Sequence, residues 1–366
     1  LSLERIHDKE DLKEKRFTLK WLDDGDRYTF LKKSTQEKYK DSKEIWLATA
    51  TDPDDCKILV SAADLVAKGA ETPLEIDGYD FFPDHSLLLI FTNSERVWRS
   101  NSRGDYWVYN LQDKTLKKLG GPGAEPSSLL FAKPSPRGTH VAYVRENHIH
   151  MESLKDHSIR TLTTSKNNQT FNGRFDWVYE EELGIRDGFR WSPDGSAIAY
   201  WQFDETGVRK QTMLDHTSNL YPKAIRFGYP KAGQKNAACR VGVVEVETSE
   251  TTWMQIPGDP REHYLARMDW AGLNNSDELI IQQLNRAQDT KVVMIAQRRG
   301  GKVRTVLTEK DPAWVIINDD LHWTPDGKAF TWTSERDGWE QLYMVSRDGM
   351  TTTKITTDDF DTNLLQ

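Results

Sequence analysis

Three consecutive glutamates, Glu180, Glu181 and Glu182, are the residues of this sequence best suited to binding chemistry. Adjacent carboxylates repel one another, and burying them without a cation is costly. If they are buried together, the sequence therefore predicts a cationic partner for them. The alternative is a solvated acidic edge that binds nothing, and composition alone favours that alternative.

The backbone conformation decides whether these glutamates can act on one target. In an extended strand neighbouring side chains point to opposite faces, so two adjacent glutamates there cannot hold the same group. If they act together, we predict a short helix or turn at this position. The triplet stands between an aromatic pair, Trp177 and Tyr179, and Leu183.

A recurring turn indicates how the rest of the chain is built. A motif like Trp191-Ser-Pro-Asp-Gly195 occurs six times, starting at positions 21, 81, 134, 191, 270 and 323, and each copy precedes a short apolar run. A period of about 50 residues indicates repeated supersecondary structure. Short runs of β-branched and aromatic residues bounded by Gly, Asp and Asn are typical of strands, and four such strands per repeat make a propeller blade.

The predicted fold class is therefore all-β, a β-propeller of four-stranded antiparallel blades that occupies residues 1–366 as one domain. A stack of β-sandwiches is the alternative, but it does not explain the repeated turn. Helical periodicity is confined to Ser61–Lys68.

Two stretches depart from the repeat. Residues 165–186 contain the glutamates, and residues 204–238 contain two Tyr-Pro segments. Insertions in a repeat architecture form loops, and loops carry function. Both insertions are therefore candidate functional segments.

Composition excludes several classes of partner. The 366 residues carry a net charge of −8 with no basic block, which argues against nucleic acid. The sequence contains no run of 18 apolar residues, so no membrane span is predicted. Cys56 and Cys239 are too far apart in sequence to indicate a metal site, and His148 and His150 have no third ligand nearby, so neither a metal nor another cofactor is expected.

With these features assembled, the chain resembles the N-terminal propeller of the dipeptidyl peptidase IV family of serine peptidases. The resemblance runs from about Leu1 to about Thr357. It is carried by the string Asp-Trp-Val-Tyr-Glu-Glu-Glu ending at Glu182, the Trp-Arg pair at Arg99, the 191–195 turn, and the two Tyr-Pro-Lys segments. That family has eight blades, so six copies of the turn imply a truncated propeller.

The resemblance also implies a function. Enzymes of this family release dipeptides from peptide N-termini, usually after proline or alanine. Carried over by position, Glu181 and Glu182 would hold the free α-ammonium group of the substrate, and Arg99 would bind the carbonyl of its second residue. The family's catalytic Ser, Asp and His belong to an α/β-hydrolase domain. No G-x-S-x-G motif occurs in these 366 residues, so no catalytic residue is expected here and the chain alone should be inactive.

Further partners follow from the same resemblance. They are a C-terminal α/β-hydrolase domain in the full-length protein and a second copy of the chain, contacted through residues 204–238. Relatives in bacteria are commonly exported, which implies a periplasmic or secreted protein.

Two other functions remain as alternatives. One is a non-enzymatic protein-interaction propeller that binds partners on its rim. The other is a relative of endopeptidases or acylaminoacyl-peptidases, which have no substrate ammonium to bind. The glutamate triplet argues against both, because neither needs an acidic insertion of this kind.

Overall fold

The structure is a computed structural model that describes residues 2, 5, 18–52, 54–165 and 167–362. Leu1, Lys166 and residues 363–366 belong to the predicted domain or its insertions and lie outside the described residues. Nearly all regular structure in the described part is antiparallel β-sheet, which confirms the predicted fold class. The chain divides into two compact units.

Unit 1 comprises the residues up to Phe81 together with His85–Asn93 and Asp105–Leu119. Its strands are β1 (Leu19–Trp21), β2 (Arg27–Lys33), β3 (Lys43–Thr49), β4 (Cys56–Val60), β5 (Gly78–Phe81), β6 (Leu87–Val97), β7 (Ser100–Asn110) and β8 (Leu116–Lys118). The first four form one sheet, and β5–β8 are called the second sheet after their repeat, although residues 94–104 at the tip of the β6–β7 hairpin belong to unit 2. In unit 2, Arg103 and Gly104 of β7 pair with Leu130 and Leu129, so β5–β8 share one hydrogen-bonded sheet of eight strands with the third set of four.

Unit 2 comprises Phe82–Asp84, Ser94–Gly104 and the residues from Gly120 onward. Along the chain, the sheets of unit 2 begin with the third and fourth, and a two-stranded hairpin is inserted in the fourth. Their strands are β9 (Leu129–Pro134), β10 (His140–Arg145), β11 (His148–Ser153), β12 (Ile159–Thr161), β13 (Thr170–Asn172), β14 (Phe189–Trp191), β15 (Ala197–Asp204), β16 (Lys210–Asp215), β17 (Lys223–Gly228), β18 (Ala238–Glu245) and β19 (Thr251–Trp253).

The fifth and sixth sheets complete unit 2. An isolated bridge between Trp323 and Phe330 supplies the first strand position of the sixth sheet. The strands are β20 (His263–Trp270), β21 (Glu278–Asn285), β22 (Thr290–Gln297), β23 (Val303–Lys310), β24 (Ala329–Ser334), β25 (Gln341–Ser346) and β26 (Thr352–Lys354).

Every predicted turn joins the first two strand positions of a sheet, as the repeat requires. In the fourth copy, Oδ1 of Asp194 accepts hydrogen bonds from the Ser192 hydroxyl at 2.6 Å and from the Ser196 backbone at 3.0 Å. Gly195 follows with a φ of 68°, in the left-handed region that glycine adopts without strain. The turn is thus specified locally, which is why the sequence reveals it.

Apolar clusters lie between successive sheets within each unit. In unit 1, Ile45 of the first sheet packs in one cluster with Ile90 of the second. In unit 2, separate clusters join the third to the fourth, the fourth to the fifth and the fifth to the sixth sheet. Sheets packed face to face in this way are the arrangement of propeller blades.

Helical structure is scarce, as predicted. The segment Ser61–Lys68, where the sequence shows helical periodicity, contains only a 3-10 turn over Ala63–Leu65, and a second such turn spans Glu37–Tyr39. One α-helix lies entirely within the described residues, and it is α1 (Trp177–Glu182). No described helix has the length and apolar character needed to cross a membrane.

Candidate functional site

Helix α1 carries the three glutamates, so the conditional prediction of a short helix at this position is confirmed. Asp176 caps its N-terminus, because Oδ1 accepts a hydrogen bond from the Tyr179 backbone N–H at 3.0 Å. Tyr179 is buried, and its hydroxyl oxygen accepts a hydrogen bond from the Leu265 backbone N–H at 2.8 Å. The helix is therefore anchored to the fifth sheet through Tyr179.

The helix interrupts the first strand of the fourth sheet. Strands β13 and β14 both pair with β15, one on each side of the interruption. At its base the Gly188 backbone N–H donates to the Gly173 carbonyl at 3.1 Å, and a Cβ added to Gly188 would lie 2.4 Å from the Gly173 carbonyl carbon. Only glycine permits this close approach, which returns the chain to the sheet directly after the helix.

The three glutamates differ in burial because each is turned about 100° from the one before it. Glu180 is buried, the Glu181 side chain is 11% exposed, and Glu182 is exposed. The last two are adjacent on the helix surface at its C-terminal end. Two neighbouring carboxylates on that surface can approach one small cation.

Arg99 lies against the second glutamate. It occupies the two-residue turn between β6 and β7, and its Nε donates to Oε2 of Glu181 in an ion pair. Both residues belong to unit 2. The Arg99 side chain is 77% exposed, and the hydrogen bond to Glu181 raises the pKa of its guanidinium. Glu182 makes no ion pair within the part of the chain that the structure describes.

Two buried carboxyl groups, those of Asp176 and Glu180, and the half-buried one of Glu205 lie around the base of α1. Burial raises the pKa of Asp176 to about 7 and that of Glu180 to about 7, and it also raises the pKa of Glu205. The nearby charge of Arg174 opposes each of these shifts. Oε2 of Glu180 is buried and makes no hydrogen bond among the described residues. Glu180 thus belongs to the interior of the insertion, and it is Glu181 and Glu182 that lie closer to solvent.

This arrangement can bind an ammonium group. Glu181 and Glu182 offer acceptors on one side, and each charge-assisted hydrogen bond contributes roughly 1.5–3 kcal/mol. Arg99 offers free guanidinium donors beside them for a neutral oxygen such as a carbonyl. Its positive charge also offsets the repulsion between the glutamates while no cation is bound.

His150, one of the two histidines weighed above as metal ligands, packs among protein side chains. His150 is buried and stacked on Tyr143, with ring centroids 5.9 Å apart. Burial lowers the pKa of His150 to about 4. Within the described residues, no group of three or more His, Cys, Asp or Glu side chains could hold a metal ion.

The sequence did not reveal two features of the site. The capping role of Asp176 had a local signal, an Asp directly before a helical turn, which could have been used. The contact of Trp98 with Phe227, whose ring centroids lie 4.5 Å apart, had none, because the two residues are far apart in the chain. The insertion at residues 204–238 contains the β16–β17 hairpin, called the arm below, which carries Phe227 near its base.

Comparison with known proteins places the chain in a family. The family model described as the dipeptidyl peptidase IV (DPP IV) N-terminal region matches residues 82–365. Inactive dipeptidyl peptidase 10 of Rattus norvegicus is 28% identical over 257 residues, which cover 69% of this chain and 32% of the relative. Dipeptidyl peptidase 4 of Arthroderma otae is 28% identical over 302 residues, which cover 79% of this chain and 37% of the relative.

A solved structure has the same fold. The crystal structure of Porphyromonas gingivalis dipeptidyl peptidase 4 superposes with a TM-score of 0.85 at 24% identity, covering 99% of this chain and 50% of that one. At this identity the likeness establishes the fold alone. The chain spans about a third of the length of the curated relatives described above and half of the solved structure.

Proposed function

This chain belongs to the family of dipeptidyl peptidase IV N-terminal regions, and on that premise we propose that it holds the N-terminus of a peptide substrate for a dipeptide-releasing serine peptidase. Glu181 and Glu182 are the ammonium anchor, and Arg99 is the carbonyl anchor. The product is an Xaa-Pro or Xaa-Ala dipeptide.

The contact between Glu181 and Arg99 carries this proposal. The two residues are 82 positions apart in the chain, on different elements, yet their side chains form an ion pair. Glu181 is mostly buried, whereas Arg99 is largely exposed, so the guanidinium can turn toward a ligand while the carboxylate stays in place.

The anchor explains selectivity for free N-termini. A fixed carboxylate pair receives the ammonium group, and the distance from there to the nucleophile determines how many residues are released. A blocked N-terminus leaves the carboxylates without their partner, and sites built around such hydrogen bonds discriminate strongly against ligands that lack them. The propeller therefore gates the substrate by its end group.

Hydrolysis requires groups that these 366 residues do not supply in any recognisable motif. We propose that a C-terminal α/β-hydrolase domain of the complete protein provides the Ser, Asp and His, in keeping with the partial coverage of the relatives. This chain alone is expected to hydrolyse no peptide.

Hydrolysis of Gly-Pro p-nitroanilide by the complete gene product tests the proposal. The double variant Glu181→Ala plus Glu182→Ala should lose most activity through a raised KM, because the ammonium loses its charged partners. Lys328→Ala, at an exposed residue of the sixth sheet, is the control and should match the wild type. Equal kinetics for the wild type and the double variant would remove the glutamates from the site.

A second candidate function is peptide binding without hydrolysis. One relative is named inactive dipeptidyl peptidase 10, so membership of the family does not by itself guarantee catalysis. The same assay separates the two functions, because a complete gene product that binds Gly-Pro peptides without cleaving them favours the second.

We propose in addition that the arm joins two copies of the chain. Its described surface exposes large apolar side chains on β16 and on the connection to β17, which are Met213, Leu214, Leu220 and Tyr221. Such a cluster is typical of a protein contact. Light scattering should report a dimer for the wild type and a monomer for Leu214→Asp plus Tyr221→Asp; a dimer in both would place the contact elsewhere.

The proposed location is the periplasm or the extracellular space. It rests on the resemblance to exported peptidases, whose peptide substrates lie outside the cytoplasm. Fractionation of the source cells with an antibody against this chain tests it, and recovery only with cytoplasmic markers would overturn it.

A further inference from the structure

We propose that four aromatic rings, here called the aromatic relay, position Arg99 relative to Glu181. They are Trp98, Phe227, Tyr229 and Trp177, and all belong to unit 2. The inference rests on the proposed function and deepens it, because it assigns Phe227 and Tyr229 of the arm as positioning residues for the anchor.

The rings form a continuous series of contacts. The ring centroids of Trp98 and Phe227 lie 4.5 Å apart, those of Phe227 and Tyr229 lie 6.0 Å apart, and those of Tyr229 and Trp177 lie 4.2 Å apart. The Phe227–Tyr229 contact is edge-on and the other two are tilted, and close contacts between aromatic rings are favourable. The series therefore runs from the residue before Arg99 to the first residue of α1.

Trp98 occupies a backbone conformation that needs support. Its φ is 51°, in the left-handed region that a bulky residue rarely adopts. Nε of Arg96 donates to the Trp98 carbonyl at 2.8 Å, which ties the backbone of the turn. The side chain of Trp98 packs on Phe227, and Arg99 follows it directly, so the direction of Arg99 depends on this contact.

The base of the arm is fixed to the same insertion. Gly228, between the two rings of the arm, is buried, and a Cβ added there would lie 2.8 Å from Oε1 of Glu205. The Tyr229 backbone N–H donates to the Arg209 carbonyl at 2.9 Å. Phe227 and Tyr229 therefore cannot shift without disturbing the base of the arm and the carboxylates beside α1.

The other end of the relay contacts the helix that carries the glutamates. Trp177 begins α1, and Glu181 lies four residues later, on the same side of the helix one turn on. The relay thus runs from the residue before Arg99 to the residue one helical turn before Glu181. Through it, the arm sets where the carbonyl anchor lies relative to the ammonium anchor.

Kinetics of the complete gene product on Gly-Pro p-nitroanilide test the relay. Phe227→Ala should raise KM about three- to tenfold, which is the range expected for loss of an aromatic pair, while kcat changes less than twofold. Phe227→Tyr should restore the wild-type KM. Ile225→Ala, on the same strand and face but outside the ring contacts, is the matched control and should change KM less than twofold.

Two further measurements separate a positioning role of Phe227 from a role in assembly. Light scattering should give all variants the same oligomeric state, and a changed state in Phe227→Ala alone would assign the effect to assembly and overturn the relay. In the Arg99→Ala background, Phe227→Ala should add no further increase in KM, because the residue that Phe227 positions is gone. An undiminished increase there would also overturn the relay.

A crystal structure of the Phe227→Ala variant tests the relay independently of the proposed function. We expect a changed Trp98 turn and a broken Arg99–Glu181 pair. If Glu181→Ala leaves KM unchanged, the proposed function is wrong, and this structure alone then decides the relay. An intact turn with the ion pair retained would contradict it.

Discussion

At the scale of single residues, the three glutamates have three different environments despite being neighbours. Glu180 is buried with one oxygen that makes no hydrogen bond among the described residues, Glu181 pairs with Arg99, and Glu182 is exposed. Helical geometry produces this difference, since each position faces a new direction. A triplet that looks uniform in sequence is thus one interior carboxyl group beside a pair of carboxylates that lie closer to solvent.

Glu180 makes stability depend on pH. Burial raises its pKa from 4.5 to about 7, so between these values the folded protein binds more protons than the unfolded chain. The free energy of unfolding therefore falls as pH rises from 4.5 to about 7. In Glu180→Gln this fall should be smaller by about 1–2 kcal/mol.

Urea denaturation of both proteins at pH 5 and pH 8 measures this difference. Part of the fall should remain in Glu180→Gln, because burial also raises the pKa of Asp176 to about 7. Identical pH dependence in the two proteins would mean that Glu180 titrates normally in the folded state.

At the scale of elements, a helix of six residues has little stability of its own. Its persistence depends on the Asp176 cap and on the buried Tyr179. Asp176→Ala should lower the free energy of unfolding by about 1 kcal/mol and raise KM, because the glutamates lose their support. Asp176→Asn keeps a capping oxygen and should behave like the wild type in thermal unfolding and in hydrolysis.

If Asp176→Ala and Asp176→Asn lower the melting temperature equally, the charge of Asp176 and not its cap would be what holds the helix. That result would also mean that the carboxylates around Arg174, and not the cap of α1, hold Glu181 and Glu182 in position.

Sequence patterns predict the elements unevenly, for physical reasons. The repeated turns are local, since Asp194 and Gly195 specify theirs within five residues, and they were predicted with their strands. The helix was predicted only on the condition that the glutamates act together. Only the resemblance placed Arg99 in one site with Glu181. Their ion pair and the Trp98–Phe227 contact could not be predicted, because no local pattern encodes a contact between distant segments.

At the scale of the whole molecule, a buried arginine, Arg298, and a half-buried one, Arg347, connect successive sheets of unit 2. Nε of Arg298, after β22, donates to Glu245 of the fourth sheet at 2.8 Å, and Nε of Arg347, after β25, donates to Glu278 of the fifth sheet at 3.1 Å. The two residues occupy equivalent positions in consecutive repeats. The fifth and the sixth sheet thus each carry an arginine that connects them to the sheet before.

Removing one of these arginines should destabilise the protein more than removing a surface charge. Arg298→Ala leaves Glu245 without its partner and should lower the free energy of unfolding by about 3 kcal/mol. Lys328 is the control, because its side chain is 83% exposed and its Nζ lies 3.7 Å from Oδ2 of Asp326. Lys328→Ala should lower the free energy of unfolding by less than about 0.5 kcal/mol. Thermal unfolding of both variants measures the difference, and equal midpoints would contradict the role of Arg298.

The central claim is that Glu181 and Glu182 hold a substrate ammonium group while Arg99 holds the adjacent carbonyl. A crystal structure of the complete gene product with the dipeptide Gly-Pro tests it most directly. We predict the ligand ammonium nitrogen within about 3.2 Å of a carboxylate oxygen of both glutamates, with the Arg99 guanidinium on a ligand carbonyl oxygen. A dipeptide bound with its ammonium group away from both glutamates would contradict the claim.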